Sequence, residues 1–113
     1  MRSTRHVATK EFEPELGNYS DPPLLVLTSL ADGPKHGHAM IEDIVSLCGT
    51  RLGPGTLYGA IARLEQSGWI EPLAPDERRR PYRITAAGLH VLRARLATLQ
   101  QFVRASSQRL EAL

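Results

Sequence analysis

From Leu89 to the last residue, an apolar side chain recurs with strict 3, 4, 3, 4 spacing: Leu89, Leu92, Leu96, Leu99, Val103, Ser106, Leu110 and Leu113, with Ser106 the one polar member. This spacing is the a/d seam of a coiled-coil helix. Thr85 is placed to cap it, since a threonine oxygen can accept from the first free amides of a helix. A helix from Ala86 to about Glu111 spans roughly 39 Å at ~1.5 Å per residue. The whole chain has 113 residues, enough for one domain with a modest core. Leu89 and Leu92 can fold back onto that domain, whereas Leu96, Leu99, Phe102, Val103 and Leu110 lie beyond its reach. An apolar strip of this length marks an interface, and a symmetric dimer is the commonest way to cover one. The expectation is a C-terminal dimerisation helix over 85–113, with Leu92, Leu96, Leu99, Val103 and Leu110 in the seam of a homodimer.

Upstream, turn and cap residues divide the chain into short elements. Residues 1–20 are polar without a clear period and read as a loose N-terminal arm. Asp21 and Pro22 are an N-cap and a first-turn proline; Leu24, Leu27 and Leu30 follow at near-helical spacing, and Asp32-Gly33-Pro34 stops the helix. A second helix carries Met40, Ile41, Ile44, Val45 and Cys48 on one stripe and ends at Gly49. A third starts at Gly53-Pro54, turns Leu57, Ile61 and Leu64 inward, and ends at Gly68. Its other face holds Gly55, Tyr58, Gly59, Ala62 and Gln66, with Arg63 at the edge. Trp69–Leu73 and Pro81–Ile84 read as two strands joined by "APDERRR". Tyr82 and Ile84 share one strand face and Arg83 takes the other.

Three helices followed by a two-stranded hairpin describe a winged helix-turn-helix over 21–84. The predicted fold class is therefore mainly α with a small β-hairpin, plus the long C-terminal helix. In such a domain the third helix is presented outward as the reading helix. Gly55 and Gly59 let the backbone approach a groove wall. Pro54 opens the helix, and Thr56 and Tyr58 offer hydroxyls to phosphate oxygens beside the amides of the helix N-terminus. The charge distribution agrees. Residues 1–50 carry four basic side chains against seven acidic ones, whereas residues 51–113 carry ten arginines against five acids. Arg78, Arg79 and Arg80 form a basic hairpin tip, suited to flanking phosphates or to the negative potential of the minor groove. Pro54, Gly55, Thr56, Tyr58, Gly59, Arg63 and the three wing arginines are the candidate contacts to double-stranded DNA.

At these residues the chain resembles a known family. "GTLYGAIARLEQSGWIE" and "RRRPYRITAAG", together with "GPKHGHAMIEDI" in the second helix, look like the signature of PadR-type transcriptional regulators. The resemblance covers about Leu24 to Leu92. It implies a winged-helix domain with a C-terminal dimerisation helix, in a sequence-specific regulator, usually a repressor released by a small molecule or stress signal. Carried over, Thr56 and Tyr58 would touch the DNA backbone and Arg78 to Arg80 would serve the wing. His38 stands where the family often has tyrosine, and Glu77 and Pro81 stand where a glycine and an aromatic are common. The single C-terminal helix resembles the short-form members.

Other functions fit less well. His36-Gly37-His38 is half a metal site without convincing further ligands, and zinc needs three or four. No phosphate loop and no nucleophile with its base is present, so neither an enzyme nor a cofactor is expected. The single cysteine, Cys48, excludes an intrachain disulfide and is expected to be a buried small hydrophobe. No apolar run reaches the ~20 residues of a membrane span and no secretory signal is present, so the expected location is cytoplasmic. Two variants remain. One is a winged helix used as a protein-interaction module without DNA, which an acidic or apolar wing would have favoured. The other is a regulator with an effector pocket at the dimer interface; with no tryptophan in the last helix, an aromatic sandwich is not expected there.

Overall fold

Helix α1 (Pro22–Ala31) is enclosed on nearly every side, and the other elements are arranged about it. The computed structural model describes residues 21–113; the arm expected over 1–20 lies outside them. Asp21 caps α1, its carboxylate accepting from the Leu24 amide at 3.3 Å. Leu24, Leu25, Val26, Leu27 and Leu30 are all buried, the pattern of a helix at the centre of a domain rather than on its surface. Helix α2 (Gly37–Cys48) adds Met40, Ile41 and Ile44, and helix α3 (Pro54–Gln66) adds Leu57, Ala60, Ile61 and Leu64. Leu52, in the link between them, completes this core. Gly49 ends α2 in the left-handed conformation, φ 79°, which glycine adopts without a side-chain clash.

Strands β1 (Ile70–Pro72) and β2 (Tyr82–Ile84) pair antiparallel, with Ile70 opposite Ile84, Glu71 opposite Arg83 and Pro72 opposite Tyr82. Arg83 donates to Glu71 across the exposed face, its Nε lying 2.9 Å from Oε2. The free edge of β2 meets Lys35, with Lys35 N–H donating to Tyr82 at 3.2 Å and Tyr82 N–H donating back at 3.0 Å. The hairpin is thus stitched to the turn between α1 and α2. Lys35 is itself held from within. Its ammonium bonds the Ser29 and Gly33 carbonyls, and it faces Asp43, which accepts from the buried Ser29 hydroxyl at 2.7 Å.

Helix α4 (Ala86–Glu111) begins at Thr85, whose oxygen accepts from the Gly88 amide at 3.1 Å and whose hydroxyl donates to the Gly68 carbonyl at 2.7 Å. Gly88 is the point of closest approach. A Cβ there would collide with the Trp69 carbonyl oxygen and come within 2.8 Å of the Ile84 side chain. This contact draws the first turns of α4 against the hairpin, with two consequences for the seam. Leu92 is not an interface residue but belongs to the protomer's own core, 6% exposed. Leu99 was expected beyond the core's reach, yet it is half-buried against it. Further along, Leu96, Phe102, Val103 and Leu110 are exposed, and the molecule measures 54 × 26 × 20 Å. Cys48 departs from expectation as well: it is exposed, because the last turn of α2 runs past the core and leaves Leu47 in solvent too.

Gly88→Ala is expected to destabilise the domain by about 1–3 kcal/mol, as overpacking against fixed backbone does. Its urea midpoint should fall with the slope unchanged.

Candidate nucleic-acid interface

The tip of the hairpin is built from residues that rarely form such a turn. Asp76 and Arg79 exchange both backbone bonds, at 2.7 and 2.9 Å, around a two-residue loop. Its members Glu77 and Arg78 have φ of 50° and 73°. Positive φ at both central positions defines a type I′ turn, which matches the right-handed twist of a hairpin and normally favours Asn-Gly. Here both positions carry charged side chains. The turn splays the three arginines. Arg80 Nη1 donates to the Leu73 carbonyl at 2.8 Å, Arg79 reaches His36 with Nη1 3.1 Å from Nε2, and Arg78 stays at the turn itself. Among the described residues none of the three meets a carboxylate, whereas Arg51, Arg83 and Arg95 each do.

Behind the wing lies a cleft of about 370 Å³ lined by His36, Gly37, His38, Tyr58, Arg78, Arg79, Arg80 and Tyr82. Tyr58 projects from α3 into it, half exposed, and lies flat over Gly37. A Cβ on Gly37 would sit 2.7 Å from Tyr58 Cζ and overlap the hydroxyl. His36 caps α2, its Nδ1 accepting from the Ala39 amide at 3.3 Å, and the rings of His36 and His38 stack at 6.4 Å. Burial, reinforced by nearby Glu65, raises the Tyr82 phenol above its usual 10.0. Tyr82 therefore stays neutral here and adds no negative charge.

Of the residues singled out in the sequence, the structure gathers Tyr58, Arg78, Arg79 and Arg80 around this cleft. Pro54, Gly55, Thr56 and Arg63 are exposed on α3 outside it. Added Cβ atoms at Gly55 and Gly59 would meet open space, apart from Arg63 Nη1 at 4.0 Å from the latter. Gly59 therefore does not serve helix packing. His36, Gly37, His38 and Tyr82 were not read as part of the site. The signal is present in "HGH", which in sequence reads as half a metal site and as the start of the second helix; among the described residues there is no cluster of metal-binding side chains. No helix among them is long and apolar enough to cross a membrane.

Gly37→Ala is expected to expel Tyr58 from the cleft while leaving the fold intact, since Tyr58 is half exposed and can swing outward. The tyrosine ring resonances should move, with stability changed by less than about 1 kcal/mol.

Comparison with known proteins agrees with the architecture. The chain is similar to an uncharacterized 37.1 kDa protein in transposon TN4556 of Streptomyces fradiae, at 49% identity over 73 residues. Those residues are 65% of this chain and only 21% of that protein, so the chain spans about a fifth of this relative. A PadR family transcriptional regulator from Eggerthella lenta DSM 2243 superimposes with a TM-score of 0.71 at 27% identity, over 100% of this chain and 99% of that one. A transcriptional regulator from Clostridium thermocellum gives 0.69 at 26% identity, over 76% and 89%. A PadR family regulator from Clostridium difficile R20291 shares the fold, with a TM-score of 0.70 at 21% identity over 79% and 97%. The model of the PadR-like transcriptional regulator family matches residues 26–94, the span from the middle of α1 into the first turns of α4. With that match and the winged-helix fold together, the chain belongs to the PadR-like family of transcriptional regulators.

Proposed function

We propose that this transcriptional regulator binds double-stranded DNA as a homodimer and acts as a repressor, released by a small-molecule or stress signal. The observation that carries the DNA reading is the cleft beside α3, lined by Tyr58 and by three splayed arginines that have no carboxylate partners among the described residues. Arginine forks and hydroxyls are the donors that phosphate oxygens take up. Pro54, Gly55, Thr56, Gly59 and Arg63 lie on the exposed face of the same helix and are the candidates to enter the major groove. A protein-interaction module would not need so cationic a wing. The proposed role is non-enzymatic and cytoplasmic.

The dimer half of the proposal rests on the strip of α4 that the protomer leaves uncovered. Leu96, Leu99 and Val103 line a shallow groove with Gln100 and Arg104, and Leu110 continues the same edge. Packing two such edges together would place two reading helices for half-sites about one DNA turn apart, ~34–36 Å. For the effector, the candidate is a separate cleft of about 400 Å³ between α1 and α4, walled by Leu24, Leu27, Trp69 and Val91 and rimmed by the Arg95–Asp21 pair. Trp69 supplies there the indole wall that α4, with no tryptophan of its own, lacks.

Binding to genomic fragments is expected to weaken with salt, with a slope near −0.9 in log affinity per phosphate neutralised. Replacing Arg78, Arg79 and Arg80 together by Ala should weaken binding to all fragments and flatten that slope. A flat salt response of the parent protein would favour the interaction module. Val103→Asp is the cleaner probe of the dimer, because Val103 is 60% exposed in the protomer whereas Leu99 also leans on the core. A charge buried at that seam without a partner is heavily penalised. Sedimentation should show monomers of unchanged helix content, and DNA affinity should collapse as the two half-sites cease to reinforce each other.

A further inference from the structure

We propose that His36 donates its Nε2–H to one backbone phosphate of the bound DNA, in a subsite shared with Arg79 and Tyr58. The proposal rests on the DNA-binding reading above and adds to it a residue and a ligand atom. Its origin is a hydrogen-bond conflict. The Ala39 amide donates to His36 Nδ1 at 3.3 Å, while Arg79 Nη1 lies 3.1 Å from Nε2 on the other side of the ring. Both neighbours are donors, and a neutral imidazole has one N–H and one lone pair. It cannot accept from both, and a protonated ring accepts from neither. The amide is fixed in the first turn of α2, where its orphan N–H needs the cap. Arg79 is exposed and free to move. The cap therefore keeps the lone pair on Nδ1 and puts the hydrogen on Nε2, so that Nε2–H and a guanidinium N–H confront each other with no acceptor between them.

An anionic oxygen entering this gap accepts from both and resolves the conflict. The surroundings fit an anion. Tyr58, Arg78 and Arg80 line the same cleft, and among the described residues no carboxylate does. A phosphodiester, with a single charge and two free oxygens, can take the His36 and Arg79 donors on one oxygen and the Tyr58 hydroxyl on the other. Because Tyr58 belongs to α3, a phosphate held here flanks the groove that α3 would enter. This points to the DNA backbone rather than to free phosphate.

The test is His36→Asn. Asparagine is as good an N-cap but lacks the reach to present a donor where Nε2 lies. The variant should be as stable as the parent and bind a genomic fragment about a hundredfold more weakly, about tenfold for the one hydrogen bond to a charged group lost at each of the dimer's two half-sites. Its salt slope should be unchanged, because a neutral donor has been removed. Arg79→Ala should lower both the affinity and the slope, and the double variant should lose less than the sum of the two, as residues sharing one ligand do. Nitrogen-15 spectra of the parent should show Nε2 protonated and shifted on adding DNA. Inorganic phosphate at millimolar concentration should leave it in place. Unchanged affinity of His36→Asn, a free-protein tautomer with Nδ1 protonated, strictly additive losses, or saturation by inorganic phosphate alone would each overturn the subsite. Failure of the parent to bind any fragment would instead remove the DNA reading beneath it, a result these variants cannot mimic.

Discussion

The backbone pair between Lys35 and Tyr82 sets where everything on the outward face of this protein sits. A hairpin of two three-residue strands is marginal by itself in water, and among the described residues there is no further sheet for it to lean on. Lys35 gives β2 a second edge partner through two hydrogen bonds. It does so from a residue whose own side chain is tied to α1 by the Ser29 carbonyl and lies 4.0 Å from the Asp43 carboxylate of α2. The wing therefore inherits the position of α1 and α2 instead of hanging from its own two ends. The same pair brings Arg79 to His36 and the wing tip to Tyr58. Buried polar groups of this kind rigidify a structure only when all are satisfied. Here they are: among the described residues no buried side-chain nitrogen or oxygen lacks a partner.

Charge pairing separates the arginines that hold the fold together from those that face outward. Arg83 is matched to Glu71 across the hairpin and Arg95 to Asp21 beside α1, the second pair linking elements distant in sequence. Among the described residues the wing-tip arginines have no such acid: Arg80 donates to a carbonyl oxygen, and Arg79 lies against the imidazole edge of His36. Their mutual repulsion is tolerated because a turn with two left-handed residues points them apart. The usual glycine at that turn has given way to Glu77 and Arg78, so backbone ease is exchanged for charge where the wing projects farthest.

Much of this architecture was legible in the sequence because it depends on local signals. Asp21, Gly49 and Thr85 cap or stop helices by chemistry that needs only their neighbours, and the 2 and 3.6 periods showed which faces turn inward. What escaped depended on distance between elements. Nothing near Gly37 in sequence reveals that Tyr58, on the next helix, lies upon it. Nothing in the heptad pattern reveals that Gly88 lets α4 press so close to the hairpin that Leu92 joins the core and Leu99 leans on it. Cys48 was misjudged for a related reason. Its stripe is correct, but a stripe does not say where the neighbouring helix ends. The candidate site was half legible: the arginines and Tyr58 stood out by type, whereas His36 and Tyr82 became part of it only through the fold.

The notch at Gly88 has a mechanical consequence. A stiff helix pinned near one end is a lever, and this one runs on for roughly 35 Å past its fulcrum at ~1.5 Å per residue. One degree of rotation at the notch moves the far tip by about 0.6 Å at that length. The fulcrum lies beside the cleft between α1 and α4, walled by Trp69 and Val91, so a side-chain shift there acts on the helix close to its fulcrum. Two such levers joined along their long arms would add their throws. Sub-ångström adjustments beside Trp69 would then reach the two wings as a change in their separation, the gearing of a caliper rather than a switch.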